Sequence, residues 1–330
     1  ILKGKRKEKT MIEIKNLSKY YGTKKAVDDI SFNVDKGEIV GFLGPNGAGK
    51  TTTMNMITGY ISLSGGSIKI DGFDILKNPK ECKKRIGYLP EQPPLYMDMT
   101  VLEYLEFVYD IKGVKEPKKD HLAQILHMVR IDDVKGRLIR NLSKGYRQRV
   151  GIAQALVGNP EILILDEPTV GLDPKQIIEI RKVISELGRD RTIILSSHIL
   201  AEISAICEKV IIINNGSVMA IGSPDELSGK ITPRNLLELR IMGEREEIRK
   251  VLESIDAVQN IKLIGQREKG SFDFEIEMEH DSDIRAEIFR ELSKNDMPII
   301  MQKSSSLTLE EVFLRLTSEG AKPIEKKEEN

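Results

Sequence analysis

The chain has 330 residues, 40% of them hydrophobic, which is enough for two domains with ordinary cores. Its 51 lysines and arginines balance its 51 aspartates and glutamates, so a general affinity for nucleic acid or anionic membranes is not expected. Cys82 and Cys207 lack disulfide-motif or metal-ligand spacing and are expected to be reduced thiols. No apolar run approaches the length of about 18 residues that a membrane-spanning helix needs.

The first ten residues are basic, and we expect a disordered arm or an upstream artefact there, with Met11 as a candidate native start. From residue 12 to residue 222, strand and helix patterns alternate, which predicts a mainly parallel sheet with helices on its faces. The predicted strands are Ile12–Leu17, Ile30–Val34, Glu38–Leu43, Ile162–Asp166, Ile193–Ser196 and Val210–Asn214. The predicted helices are Lys50–Thr58, Val101–Lys112, Lys118–Arg130, Lys144–Val157, Pro174–Leu187 and Leu200–Cys207. Residues 92–141 contain no convincing strand, so we expect a helical subdomain at about 93–160.

Residues 223–235 are rich in turn formers and predict a linker. Residues 236–318 then show the order strand, helix, strand, strand, helix, strand, which predicts a small ferredoxin-like α+β domain. Its predicted elements are Leu236–Ile241, Glu246–Ser254, Val258–Ile264, Phe272–Met278, Ile284–Lys294 and Pro298–Gln302, followed by a last helix at Leu309–Leu316. The charged residues 319–330 predict a disordered tail.

A glycine-rich segment, GPNGAGKT, occupies residues 44–51 between a predicted buried strand and a predicted helix. It matches the phosphate-binding P-loop, and the alternative is a plain glycine-rich turn. Backbone N–H groups of such a loop wrap a phosphate, and the helix N-terminus adds partial positive charge. Lys50 is predicted to contact the β- and γ-phosphates of ATP, and Thr51 to offer its hydroxyl to Mg²⁺. The predicted ATP-binding residues of this segment are Gly44, Pro45, Asn46, Gly47, Ala48, Gly49, Lys50, Thr51 and Thr52.

Two carboxylates, Asp166 and Glu167, follow the apolar run ILIL at residues 162–165. This pattern places Asp166 at the carboxyl edge of a buried strand, where open α/β sheets bind ligands. Asp166 is predicted to hold Mg²⁺ and Glu167 to act as general base on the attacking water. The alternative is a strand that ends in a solvated acidic turn.

Residues 142–150, LSKGYRQRV, place Ser143 and Gly145 at a predicted helix start, which can face a γ-phosphate while Ser143 caps the helix. The segment resembles the signature motif of ATP-binding cassette (ABC) proteins. Lys144 replaces the usual first glycine, and Tyr146 replaces the usual glutamine. The resemblance implies that Ser143, Lys144 and Gly145 contact the nucleotide held by the opposite subunit.

Four more residues stand in the order of that family. The resemblance implies that Tyr21 stacks on adenine and that Gln92 contacts Mg²⁺ and senses a membrane subunit. It implies that Asp173 links two active sites across a dimer and that His198 contacts the γ-phosphate. Taken alone, these residues could be a strand tyrosine, a polar loop residue, a helix N-cap and a structural histidine. The predicted catalytic residues are Glu167, His198 and Lys50, and the predicted magnesium ligands are Thr51, Gln92 and Asp166.

The resemblance covers residues 11–222 and implies an α/β P-loop NTPase fold, the ABC cassette, with a mixed sheet. The EQPPLY segment at residues 91–96, the form of the signature and the last predicted helix are similar to ATPases of ABC-2-type exporters. Such a protein hydrolyses ATP with Mg²⁺ and drives transport after ATP-dependent pairing with a second copy or a homologous subunit. Its other expected partners are separate transmembrane permease subunits, which would hold it at the cytoplasmic face of the cell membrane, and no nucleic acid is expected.

Two alternatives stay open. An importer ATPase with a C-terminal amino-acid-sensing domain, as in methionine-type importers, would share the βαββαβ order, although its signature is usually closer to LSGGQ. A soluble ABC protein that acts on ribosomes or DNA is the second, but ribosome-binding members usually join two cassettes, and DNA-repair members insert a long coiled coil. This chain has one P-loop and no sustained heptads between residues 51 and 162.

Overall fold

The computed structural model describes residues 9–231, 236–278, 284–305 and 309–318. The predictions for residues 1–8, 232–235 and 319–330 lie outside that part of the chain. The chain divides into two units, one comprising Ile1–Pro224 with Leu316–Asn330 and the other comprising Asp225–Arg315.

Through residue 222, the elements in chain order are β1 (Thr10–Tyr21), β2 (Lys24–Asp35), β3 (Ile39–Leu43), α1 (Lys50–Ile57), β4 (Gly65–Ile70), β5 (Phe73–Asp74), α2 (Pro79–Arg85), β6 (Ile86–Leu89), α3 (Val101–Lys112), α4 (Lys118–Met128), α5 (Lys144–Leu156), β7 (Ile162–Asp166), α6 (Pro174–Leu187), β8 (Thr192–Ser197), α7 (Leu200–Ser204), β9 (Lys209–Asn214) and β10 (Ser217–Gly222). After them come α8 (Pro224–Ile231), β11 (Leu236–Met242), α9 (Arg245–Glu253), β12 (Val258–Gly265), β13 (Ser271–Met278), α10 (Arg285–Lys294), β14 (Ile299–Ser305) and α11 (Leu309–Thr317).

The central sheet of the first unit has six strands in the order β10-β9-β3-β8-β7-β6. All neighbours pair in parallel except the edge strand β10, which is antiparallel to β9. Every residue of β3 and β7 is buried, which explains why both are apolar runs without alternation. The register pairs Leu43 with Ser197 and Asp166 with Ser196, so the carboxyl ends of β3, β7 and β8 meet at one edge.

A second sheet, in the order β2-β1-β4-β5, is antiparallel throughout. The prediction of one mainly parallel sheet was therefore incomplete. β1 and β2 were predicted in part, but β4 begins with two glycines and a serine, which have low strand propensity. β4 is held instead by pairing with β1 and by packing, since Ile68 and Ile70 join a core that both sheets share with helix α1.

Residues 93–160, all of which the structure describes, contain helices α3, α4 and α5 and no strand. Helix α3 begins after a capping box, in which the Thr100 side chain accepts from the Glu103 N–H and the Glu103 carboxylate accepts from the Thr100 N–H. Local sequence thus sets the start of this subdomain.

The second unit contains the antiparallel sheet β12-β13-β11-β14, which is the strand order of a ferredoxin-like βαββαβ arrangement. Helices α9 and α10 contribute Ile248, Leu252, Ile288 and Leu292 to one core with apolar residues of the sheet. Residues Pro224–Ile231, which were predicted as part of a linker, form helix α8. Proline at the first helical position and acidic residues in the first turn favour a helix start there.

Candidate functional site

A pocket of about 570 Å³ lies beside the start of helix α1, next to the carboxyl ends of β7 and β8. It is lined by Tyr21, Lys24, Ala26, Asn46, Gly47, Gly49, Lys50, Thr51, Thr52, Glu91, Glu167, Val170 and His198. The structure therefore brings together residues that the sequence had pointed to over a span of nearly two hundred positions. Gly44, Pro45 and Ala48 belong to the same loop but do not line the pocket.

Glycine is required at three positions of the loop between β3 and α1. Gly47 and Gly49 have φ angles of 81° and 106°, which side-chain-bearing residues rarely adopt. A Cβ atom on Gly49 would lie 2.6 Å from the Ala26 carbonyl oxygen, and one on Gly44 would lie 2.5 Å from the Ile213 carbonyl oxygen. The loop can thus hold its backbone N–H groups toward an anion at the start of helix α1.

Tyr21 is the last residue of β1 and is 53% exposed. Its ring forms part of the pocket wall, and the Lys19 ammonium lies 5.3 Å from the ring centroid. About half of this side chain is therefore accessible, and its ring can stack on a planar base.

Lys50, Glu167 and His198 form a connected group in the pocket. The Lys50 ammonium donates to the carbonyl oxygens of Gly44 and Pro45 at 2.8 and 3.3 Å, and lies 3.3 Å from Glu167 Oε1. Glu167 Oε2 lies 2.9 Å from His198 Nδ1. Lys50 and Glu167 are both buried, so their charges interact in a poorly solvated environment. This arrangement can bind a phosphate and accept a proton at adjacent points.

The backbone of Glu167 has a φ angle of 47°, in the left-handed region that non-glycine residues seldom occupy. The conformation is held by the Glu167 N–H, which donates to Ser196 Oγ at 2.9 Å. Backbone strain of this kind persists where surrounding contacts over-determine it. Here it directs the carboxylate toward Lys50 and His198.

Asp166 is fully buried at the end of β7, and Ser196 Oγ donates to its Oδ1. Its buried Oδ2 meets no hydrogen-bond partner within the part of the chain that the structure describes. Burial raises the pKa of Asp166, as do the charges of Glu167 and Glu91, whereas the Ser196 and Thr51 hydroxyls lower it. An unpaired buried carboxylate oxygen is costly, and a hard divalent cation would satisfy it.

The neighbouring cavity, of about 640 Å³, is lined by Thr51, Gln92 and Asp166 among other residues. The structure thus brings the three predicted magnesium ligands together, and their oxygen donors fit Mg²⁺.

Ser143, Lys144 and Gly145 do not line either cavity. Ser143 is exposed and caps helix α5 by accepting from the Tyr146 N–H. Lys144 is also exposed, and its ammonium group lies against Gly171 in the loop that leads to Asp173. Asp173 caps helix α6 by accepting from the Gln176 N–H at 2.9 Å. Ser143 and Lys144 are therefore presented to solvent rather than to the pocket of their own chain, whereas Gly145 is buried beside the Gln176 side chain.

A protein-family model described as ABC transporter matches residues 27–170. The bacitracin transport ATP-binding protein of Bacillus licheniformis is 41% identical over 241 residues, which are 72% of this chain and 78% of that protein. The linearmycin resistance ATP-binding protein of Bacillus subtilis is 32% identical over 311 residues, which are 93% of this chain and 98% of that protein. The chain belongs to the ATP-binding subunits of ABC transporters. This ABC subunit accordingly binds ATP with Mg²⁺ and hydrolyses it.

Solved ABC cassettes share the fold of about two thirds of this chain. An ATP-binding subunit of an ABC transporter superposes with a TM-score of 0.61 at 34% identity, covering 67% of this chain and 93% of that one. A dimeric cassette in a post-hydrolysis state with ADP and Pi has a TM-score of 0.59 at 27% identity, covering 64% of this chain and 98% of that one.

The polar residues of the ABC site that sequence reasoning missed include Lys24, Glu91 and Ser196. Lys24 lines the pocket. Its position three residues after Tyr21 in the sequence is the feature from which a place in the site could have been predicted. Ser196 bonds both Asp166 and the backbone of Glu167, but it belongs to another strand. Only the register of β7 against β8 shows that contact.

Proposed function

We propose that this ABC subunit drives export of a substrate through separate membrane-spanning permease subunits. It would work as one half of a head-to-tail pair of cassettes that encloses two ATP molecules. The permease would hold this pair at the cytoplasmic face of the membrane. The described residues contain no helix long and apolar enough to cross a membrane.

One observation carries the paired arrangement. The start of helix α5 exposes Ser143 and Lys144, and neither lines the pocket that holds Lys50. A helix N-terminus carries partial positive charge and free N–H groups, which suit an anion. A second cassette, turned head to tail, would supply this element to the γ-phosphate, and the dimeric cassette among the solved structures supports such pairing.

Residues of the two neighbouring cavities would have different roles in hydrolysis. Thr51, Gln92 and Asp166 would hold Mg²⁺, which neutralises charge on the phosphate oxygens when bound. Lys50 would exchange its carbonyl and carboxylate partners for phosphate oxygens. Glu167 would accept a proton from the attacking water while His198, in contact with Glu167, orients the γ-phosphate.

Export, rather than import, is supported by relatives named for linearmycin resistance in Bacillus subtilis and for lipopolysaccharide export in Escherichia coli. The test is ATP-driven transport by the subunit reconstituted with permeases encoded beside it. Inverted vesicles should accumulate a transported probe, with labelled bacitracin as the first probe, and vesicles with Glu167→Gln should not. Accumulation only in right-side-out vesicles would contradict export.

The ferredoxin-like strand order of the second unit is the observation that also suits an importer with an amino-acid-sensing domain. An importer of that class should bind free methionine and lose ATPase activity when methionine is added to the transporter complex. We expect methionine to leave the ATPase rate unchanged, as measured by phosphate release at several methionine concentrations.

A further inference from the structure

The reacting groups of the site lie on two separate segments. Glu167 begins the loop that leads from β7 to α6, and His198 follows the end of β8. The sheet register fixes Asp166 opposite Ser196, but it does not extend past those strand ends. Past those ends, the Glu167 N–H donates to Ser196 Oγ at 2.9 Å, and a second contact between the two segments would further restrain the Glu167–His198 separation of 2.9 Å.

Glu202, in helix α7, supplies such a contact. Thr169 Oγ1, in the loop after β7, donates a hydrogen bond to Glu202 Oε2. Ser197 Oγ, directly before His198, donates to the same oxygen at 3.0 Å. Thr169, Ser197 and Glu202 are 4%, 1% and 5% exposed, so water does not compete for these bonds.

This link costs stability. Glu202 is buried among hydroxyl groups, and its Oε1 has no hydrogen-bond partner among the described residues. A buried carboxyl group with one unsatisfied oxygen stabilises a fold less than an apolar side chain of similar volume would. What the carboxylate provides is geometric, because one atom joins the Glu167 loop to the segment before His198.

We infer that Glu202 is a positioning residue for ATP hydrolysis, which holds the Glu167 loop and His198 in their reactive arrangement through Thr169 and Ser197. This inference rests on the proposed roles of Glu167 and His198. Glu202 touches neither of them in the described hydrogen bonds, so its effect is expected in the rate of hydrolysis and not in the binding of ATP.

The test uses matched substitutions at Thr169 in the full chain. Thr169→Val keeps the shape and removes the donor, whereas Thr169→Ser keeps the donor. A hydrogen bond worth about 1.4 kcal/mol corresponds to about tenfold in rate. We expect Thr169→Val to lower kcat about tenfold with ATP affinity within about twofold, and Thr169→Ser to retain most of the wild-type kcat.

A double-mutant cycle with Glu202→Gln completes the test. Since Thr169 and Glu202 act through one link, the double variant should be little slower than the slower single variant. Ser204→Ala is the control, because among the described residues that hydroxyl bonds only the Leu200 carbonyl oxygen of its own helix. Equal kcat for Thr169→Val and Thr169→Ser, additive losses in the cycle, or a loss of ATP affinity that matches the loss of kcat would each overturn the inference.

Glu167→Gln, assayed beside these variants, separates this inference from the proposed site. If Glu167→Gln hydrolyses ATP at the wild-type rate, the proposed role of Glu167 fails, and with it the basis of the positioning role. If Glu167→Gln is inactive and Thr169→Val is fully active, only the positioning role fails.

Discussion

The Lys50 ammonium group contacts two backbone carbonyls and the Glu167 carboxylate. The group proposed to bind phosphate and the group proposed to activate water are therefore in direct contact. In the proposed mechanism, an incoming γ-phosphate would take Lys50 away from Glu167, which would leave the carboxylate free to accept a proton. This exchange would link the binding of ATP to the activation of its hydrolysis.

That contact distinguishes two substitutions. Lys50→Ala should weaken ATP binding, because it removes a cation from the phosphate site. Glu167→Gln should bind ATP at least as tightly as the wild type, because it removes a negative charge and an ion partner of Lys50. Its hydrolysis rate should fall by about 10²–10⁴, the usual cost of losing a general base. Titration with a fluorescent ATP analogue and phosphate-release assays measure the two effects, and equal losses of binding in both variants would contradict these roles.

The second prediction at the residue scale concerns Asp166 and the dependence of stability on pH. Burial raises the pKa of Asp166 above its ordinary value of 3.8. In the window between the ordinary and the raised pKa, the folded protein binds more protons than the unfolded chain, so stability falls as pH rises through that window. Ionised Asp166 thus lowers the stability of the nucleotide-free protein at neutral pH.

Asp166→Asn should therefore raise the Tm of the nucleotide-free protein at pH 7, and should raise it less at acidic pH, where Asp166 of the wild type is protonated. It should also lose Mg²⁺-dependent hydrolysis, because an amide is a poorer ligand than a carboxylate. Thermal melts across pH, with and without Mg-ATP, give both readings. A lower Tm for the variant at neutral pH, in the absence of nucleotide, would show that the carboxylate stabilises the fold instead.

Ser143, the residue directly before helix α5, has two expected roles. Ser143 caps the helix within its own chain and is proposed to contact nucleotide across the pair. Ser143→Ala should lower the free energy of unfolding by about 1 kcal/mol through loss of the cap. Ser143→Asn keeps a capping side chain, so it should unfold like the wild type.

Both Ser143 variants should hydrolyse ATP slowly if the serine also contacts the nucleotide of the partner cassette. Denaturant unfolding and ATPase assays on the same preparations separate the two duties. Full activity in Ser143→Asn would assign Ser143 a capping role alone.

Elements with strong local signals were predicted well, and those that depend on distant pairing were not. β7 has the predicted bounds, because its apolar run and its terminal acid are both local. β4 was missed because its opening Gly-Gly-Ser favours no strand until β1 pairs with it. Helix α8 was missed because the glycine and serine near its end outweighed the helix signal at Pro224.

The same division holds within the site. The P-loop was predicted from a contiguous motif, whose glycines the backbone geometry requires. Ser196 and Glu202 were not predicted, because their partners lie about thirty positions away, and only the register of β7 and β8 with the placement of α7 brings them together. Contiguous motifs thus predict the residues expected to contact the ligand, whereas the residues that position those side chains are identified only from the three-dimensional structure.

At the scale of the whole molecule, the proposed site is completed by a second cassette. The P-loop pocket lacks the exposed start of helix α5, so nucleotide should draw two cassettes together. In Glu167→Gln, which cannot complete hydrolysis, saturating ATP should shift the protein to a dimer in size-exclusion chromatography. Lys50→Ala, with weakened ATP binding, is the matched control and should stay monomeric. A monomeric Glu167→Gln under saturating ATP, with and without Mg²⁺, would contradict the paired site.

The second unit adds a ferredoxin-like domain whose described residues include no cluster that could hold a metal. One face of its sheet packs on helices α9 and α10. On the other face, Arg240 donates to both carboxylate oxygens of Asp273, at 2.7 and 3.1 Å, and Asp273 is fully buried. This pair lowers the pKa of Asp273 and makes that face polar, which suits regulation or dimer contacts more than a further apolar core.

Removal of this domain tests its role, and the place of the cut matters. Leu316 belongs to the first unit, where its carbonyl oxygen accepts from the buried Asn214 side chain at 3.3 Å. Replacing residues 236–305 with a flexible Gly/Ser linker keeps that contact. Truncation after Ile231 removes Leu316 and leaves the buried Asn214 amide without this acceptor, which should lower the free energy of unfolding by about 1–3 kcal/mol. The described residues that line the nucleotide pocket all belong to the first unit. We therefore expect both variants to bind ATP with affinity within about twofold of the wild type, and the truncated variant to have the lower Tm. Transport by the linker variant, reconstituted with its permease, should be impaired or deregulated. A folded linker variant that has lost ATP affinity would show instead that the domain shapes the nucleotide site.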